Sequence, residues 1–238
     1  TDPGTLCLMN PSNPAPLSTA SRTVANDAQR EIAYVYLDAA IVVVNKPSGL
    51  LSVPGRGQDK QDCVAGRLQA EFPDALTVHR LDMHTSGLLL LARGKEMQRR
   101  LSIQFASRQV DKRYLAVVVG ELPLASGEID LPLRADWPNR PRQKVDRLSG
   151  KPSLTRYQVI SHDASANTSR LALIPETGRT HQLRVHLQAL GHPIIGDALY
   201  GEAASSAGAQ RLLLHADRLA FGHPEHGERL SFLCPAPF

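Results

Sequence analysis

The stretch Val78-His79-Arg80-Leu81-Asp82-Met83-His84-Thr85-Ser86-Gly87 runs directly into Leu88-Leu89-Leu90-Leu91-Ala92. Five consecutive apolar residues without polar alternation read as a strand covered on both faces. A chain with such a strand must build a sheet whose centre is buried. The loop before it brings a carboxylate, an arginine, two histidines and two hydroxyls close together. Thr85-Ser86-Gly87 has the chemistry of a tight turn, which would present Asp82 at the mouth of the sheet. Loops held by a rigid scaffold are where sites are commonly built. A solvated Arg80–Asp82 pair fits this stretch equally well.

The chain of 238 residues can bury a real core, as one large domain or two small ones. No apolar run is long enough to cross a membrane. Residues 1–30 lack a charged-then-apolar leader and are rich in Pro, Ser, Ala, Thr and Asn, so a flexible N-terminal tail is expected there. Cys7, Cys63 and Cys234 are scattered. That spacing argues against a disulfide scaffold or a zinc site and suits a cytoplasmic protein. The net charge of +4 is modest, but its distribution is informative. Arg93, Lys95, Arg99, Arg100, Arg108, Lys112 and Arg113 face only Glu96 and Asp111 in their zone. Arg134, Arg140, Arg142, Lys144, Arg147 and Lys151 face only Asp136 and Asp146. Two basic zones around a polar loop suggest a polyanionic partner, nucleic acid first among them, although solvated faces look the same.

Periodicity predicts strands near 32–36, 41–44, 88–92, 111–119, 128–131, 153–160, 169–174, 212–221 and 229–233. Val64, Leu68 and Phe72 have helical spacing that Pro73 ends, and Met97, Leu101 and Phe105 mark a second helix. A third runs from His181 to Leu190, with Leu183, Leu187 and Leu190 as its core stripe and His181, Arg184 and Gln188 on another face. His181 and His186 are five apart, a poor spacing for two metal ligands, and no metal site is predicted. Residues 136–142 hold two prolines and are expected to be irregular. There the single Trp137 lies beside Arg140 and Arg142, a mixture suited to base stacking and phosphate contact, or to a loop anchor. The small-residue stretch 201–210 reads as a flexible loop. Strands that are often adjacent in sequence favour an α+β fold with a largely antiparallel mixed sheet flanked by helices and loops.

No G-x-G-x-x-G or phosphate-binding G-x-x-x-x-G-K-[ST] occurs, and Ser86 lacks the flanking glycines of a nucleophile elbow. What does occur is a set of motifs in order. His79-Arg80-Leu81-Asp82 with Thr85-Ser86-Gly87 resembles the signature of the RluA-type pseudouridine synthases. Val43-Val44-Asn45-Lys46-Pro47-Ser48-Gly49 is similar to that family's N-terminal motif, and Lys112-Arg113-Tyr114-Leu115-Ala116 to its tyrosine motif. Gly178-Arg179-Thr180-His181-Gln182-Leu183-Arg184-Val185-His186, with Gly191-His192-Pro193-Ile194-Ile195-Gly196-Asp197, resembles its C-terminal motif. Arg211-Leu212-Leu213-Leu214-His215-Ala216 is similar as well.

The resemblance implies a single catalytic domain over 31–238 without a separate S4 RNA-binding domain. It also implies a cofactor-free isomerisation of uridine in RNA, in which the N-glycosidic bond breaks and uracil C5 joins ribose C1′. Asp82 would be the essential carboxylate, Arg184 its charge partner, and Tyr114 the aromatic that stacks on uracil. RNA contacts are expected at His79, Arg80, Trp137, Asn139, Arg140, Arg142, Lys144, Arg179 and His181. A duplex base must be flipped out at a cost of about a few kcal/mol, and Arg80 is placed to fill the space it leaves. A desolvated carboxylate drifts neutral without an opposite charge, which is the work expected of Arg184. Resemblance to the short, S4-less members of the family implies action on a tRNA anticodon stem-loop and a large-subunit rRNA hairpin. The alternatives are a single rRNA target or a catalytically idle RNA-binding protein of the same fold; a monomer is the default expectation.

Overall fold

Ile41, Val42, Val43 and Val44 are wholly buried, and so are Leu89, Leu90, Leu91 and Ala92. The two runs are antiparallel neighbours, with Ile41 opposite Ala92 and Lys46 opposite Gly87. The computed structural model describes residues 8–9, 32–201 and 209–238. The rest of the expected tail at 1–30, and residues 202–208 of the expected 201–210 loop, lie outside the described residues.

In chain order the described strands and helices begin with β1 (Leu8–Met9), β2 (Ala33–Leu37), β3 (Ile41–Lys46), α1 (Val64–Glu71), β4 (Ala75–Thr77), β5 (Ser86–Arg93) and α2 (Lys95–Ala106). They continue with β6 (Asp111–Val119), β7 (Ser126–Asp130), β8 (Leu133–Ala135), β9 (Gln143–Val145), β10 (Leu154–Asp163), β11 (Thr168–Pro175) and α3 (Gln182–Ala189). β12 (Leu214–Gly222) and β13 (Arg229–Leu233) close the chain. The fold is α+β, as expected.

Two compact units divide this chain: Thr1–Lys112 with Ala216–Phe238, and Arg113–His215. In the first, the strand order is β2-β3-β5-β12, with β4 on β5 and β13 on β12. Its core joins Ile41, Val43, Leu88, Leu90, Leu101, Phe221, Leu230 and Phe232. Helix α1 starts where extended Cys63 accepts the Gly66 N–H through its sulfur at 3.3 Å. On α2 only Leu101 is buried, and Arg99 and Arg100 both pair with Glu96 on the wet side. Cys63 is a free thiol and Cys234 is disulfide-bonded, a pairing that the scattered spacing did not suggest.

In the second unit the order β6-β11-β10-β7 is antiparallel throughout. Ala116, Val118, Leu171, Leu173, Leu183 and Leu187 form its core. Leu190 does not complete the α3 stripe: it sits at the C-terminal cap and is 37% exposed. The irregular segment 136–142 proved to be the tip of a short hairpin, β8–β9, with one 3-10 turn at Trp137–Asn139. No helix among the described residues is long and apolar enough to cross a membrane.

Candidate functional site

In the first unit, the loop carrying Asp82 is clamped through its backbone. Ser52 Oγ accepts the Leu81 N–H at 3.0 Å and donates to the Leu81 carbonyl at 2.8 Å. Gly49 N–H donates to the Met83 carbonyl at 2.8 Å, and Ser48 Oγ donates to the His84 carbonyl at 2.7 Å. Lys46 is fully buried, and its ammonium donates to the carbonyls of Pro47 (2.8 Å), Leu50 (2.7 Å) and Met83 (2.9 Å). An ammonium has three N–H donors, and these three carbonyls match them in number. Thr85 N–H closes the turn onto the Asp82 carbonyl at 3.2 Å. The neighbours on both sides of Asp82 are therefore fixed, while its own side chain is half-buried.

Gly87 ends the loop at φ +111°, and a Cβ there would lie 2.3 Å from the Ala216 carbonyl oxygen. Only glycine can hold this conformation at the second residue of β5. His79, expected to touch RNA, is used by the fold. Its Nε2 accepts the Leu90 N–H at 3.0 Å and its ring stacks on Phe105 at 4.7 Å. Burial, with the nearby Lys112 charge, pushes its pKa down to about 3, so the ring is neutral. Arg80 is exposed.

The second unit holds the remaining expected residues. Tyr114 lies on β6 opposite Leu173 and packs against the core. Arg184 is 4% exposed on α3. Its Nε and Nη2 donate to the two carboxylate oxygens of Asp197, both at 2.7 Å. Burial alone would raise the Asp197 carboxyl, but the Arg184 hydrogen bonds and charge, with the N–H groups of Leu199 and Tyr200, hold it below its usual range. A bidentate pair fixes the plane of the guanidinium as well as its position. Asp197 was within a recognised motif but carried no assigned role. Nothing in a separation of 13 residues marks the two as partners.

On the hairpin, Trp137 is 61% exposed with the Arg140 guanidinium 3.1 Å above its ring. Asn139 donates to Asp136 at 2.8 Å, and Lys144 lies 3.7 Å from the same carboxylate. Arg179 is exposed, and its N–H is held by the Gln182 side chain at 3.0 Å. Arg142, His181 and Arg184 converge on Tyr200, a residue that sequence reading passed over. Its ring lies 5.5 Å from the Arg142 guanidinium and 5.0 Å from that of Arg184, and its hydroxyl is 2.7 Å from His181 Nδ1. Asp82, His79 and Arg80 thus belong to one unit, and the other nine expected residues to the other. Among the described residues, no group of three or more His, Cys, Asp or Glu could hold a metal ion.

Known proteins share this arrangement of chain. The RNA pseudouridylate synthase family model matches residues 40–189. The chain is 52% identical over 204 residues to the dual-specificity RNA pseudouridine synthase RluA of Escherichia coli strain K12, covering 86% of this chain and 93% of that protein. It is equally similar to the protein of that name from Yersinia pestis, of which 98% is covered. The solved structure of human RNA Pseudouridylate Synthase Domain Containing 1 superposes with a TM-score of 0.75 at 32% identity, over 90% of this chain and 87% of that one. A family match over most of the described chain, half-identical relatives and a shared fold lead to one conclusion: the chain belongs to the RNA pseudouridylate synthase family.

Proposed function

We propose that this protein isomerises uridine to pseudouridine at two kinds of RNA site, a tRNA anticodon stem-loop and a large-subunit rRNA hairpin, working as a cytoplasmic monomer. The observation that carries the reading is the half-identity, across nearly the whole of the relatives, to proteins named as dual-specificity RNA pseudouridine synthases. The clamped Asp82 loop supports it chemically, because it can hold one carboxylate in a fixed place while the base turns over.

The reaction is an internal transfer, so no co-substrate is consumed. Asp82 either adds to ribose C1′ or removes a ribose proton as the N-glycosidic bond breaks; both routes need it ionised. The uracil rotates while held, its C5 bonds to C1′, the C5 proton leaves to solvent, and N1, freed from the ribose, takes up a proton. Tyr114 is assigned to stack on the base with its hydroxyl near that proton. Arg184 is assigned to supply the positive charge that keeps the carboxylate ionised. Arg80, exposed beside Asp82 in the chain, is assigned to the space left by the flipped base. Trp137, Asn139, Arg140, Arg142, Lys144, Arg179 and His181 are assigned to RNA contact, and His79 to holding the loop that makes it.

The test is tritium release from transcripts carrying 5-tritiated uridine, one an anticodon stem-loop and one an rRNA hairpin, with wild type and Asp82→Asn. Release from both by wild type alone is expected. Release from one transcript restricts the target; none from either or from total RNA, with binding intact, makes the protein an RNA binder.

A further inference from the structure

A two-stranded ribbon is marginal on its own, so its position is set by what it rests against. The β8–β9 hairpin has three residues in each strand, and its apolar residues Leu133 and Val145 pack with Val185 of α3 and with Tyr200 and Leu199. One hydrogen bond adds direction to this contact: Gln143 N–H donates to the Tyr200 hydroxyl at 2.7 Å. The same hydroxyl bonds His181 Nδ1, at the head of α3, where the backbone is left-handed at φ 54°. The same ring lies beneath the Arg184 guanidinium, and the Tyr200 N–H is held by Asp197, the carboxylate that orients Arg184. Tyr200 is 6% exposed, so none of these contacts is made with RNA directly. Three structures meet at one side chain: the hairpin with its exposed Trp137–Arg140 tip, the start of α3, and the Arg184–Asp197 pair.

We propose that Tyr200 is a positioning residue that couples engagement of RNA by the hairpin tip to the placement of Arg184. This rests on the proposed synthase activity and on Arg184 serving it. When the tip stacks on RNA, the displacement reaches α3 through Gln143, the Tyr200 hydroxyl and His181, and the arginine settles where the reaction needs it. Tyr200→Phe keeps the ring beneath Arg184 but removes the hydroxyl's bonds to Gln143 and His181, cutting the link without emptying the core.

The experiment is a double-mutant cycle of Trp137→Ala and Tyr200→Phe. Single-turnover tritium release is measured at saturating enzyme, beside RNA dissociation constants and thermal melts. Trp137→Ala alone is expected to weaken binding and slow the saturated step. Tyr200→Phe is expected to slow that step by about tenfold, as small misplacements do, with the dissociation constant within about twofold of wild type. In the Tyr200→Phe background, Trp137→Ala should still weaken binding yet slow the saturated step no further. A merely structural Tyr200 would lower the melting temperature but leave the two rate effects multiplicative. Multiplicative rates, a saturated rate unchanged by Tyr200→Phe, or one unchanged by Trp137→Ala overturns the coupling. If Tyr200→Phe does not fold, His181→Ala cuts the same link from the helix side; because His181 is itself assigned to RNA contact, that cycle is scored on the saturated rates alone. Absence of release by wild type overturns the synthase reading instead, so the two failures are distinct.

Discussion

Arg184 and Asp197 meet edge to edge, two hydrogen bonds of 2.7 Å joining side chains that are 5% and 0% exposed. Asp197 takes the Nε–Nη2 edge of the guanidinium, and Nη1 lies outside that pair. The arginine is therefore oriented by its own unit before any substrate arrives.

Asp197→Asn should expose that dependence. An amide can accept one of the two N–H groups but turns its own donors on the other. Breaking one side of a buried pair costs about 3 to 5 kcal/mol, so denaturant unfolding should show a loss of that size. In protein still folded, single-turnover tritium release should fall by about tenfold or more while RNA binding holds. Wild-type release would show that the orientation of Arg184 does not matter to the chemistry.

Lys46→Met removes the ammonium and keeps an unbranched side chain one atom shorter. The carbonyls of Pro47 and Leu50 then lose their Lys46 donor, and Met83 retains only the Gly49 N–H. Stability should drop by about 2 to 5 kcal/mol, a buried acceptor costing about 1 to 3 when left unmet. Tritium release should fall further than stability alone explains, since the clamp beside Asp82 goes with it. A variant of wild-type stability and activity would remove Lys46 from the clamp.

Gly87→Ala should be among the most damaging single-methyl additions in the first unit. The alanine Cβ would meet the Ala216 carbonyl at 2.3 Å from a backbone at φ +111°. Both the steric overlap and the strained dihedral push β5 away from β12, at a cost of about 3 kcal/mol or more. Thermal melting of the variant checks this; a change of only a degree or two would contradict the close approach.

His79 makes acid stability predictable in sign. Its folded pKa, pushed down to about 3, lies below its ordinary 6.5. Below pH 6.5 the unfolded chain therefore binds a proton that the fold refuses. The contribution is present in full above pH 6.5 and is lost as pH falls from there towards 3, at up to about 1.4 kcal/mol per unit. His79→Gln can still accept the Leu90 N–H but does not titrate. Between pH 7 and 5, urea denaturation should show the variant losing less stability than wild type. Parallel losses would mean that His79 protonates in place.

Much of this protein is legible without coordinates, for reasons that are local. Runs such as Ile41–Val44 and Leu88–Ala92 have to be buried strands because no other packing hides both of their faces. Pro73 has to stop a helix, and the ordered motifs identify the family and single out Asp82, the carboxylate proposed to react. The hairpin around Trp137 was hidden because its prolines mask two strands of three residues each. Arg184 fell correctly on a separate face from the leucines, but helical spacing cannot say that this face is buried or that Asp197 waits there. Lys46 is only one member of the N-terminal motif until three carbonyls are folded around it, and Tyr200 an unremarked loop residue until a hairpin, a helix head and an arginine close on its ring. Periodicity and motif order are properties of neighbouring residues, so the chain alone determines the longer elements and the family. Which buried polar groups satisfy one another depends on atoms far apart in the chain, and only the tertiary structure decides it.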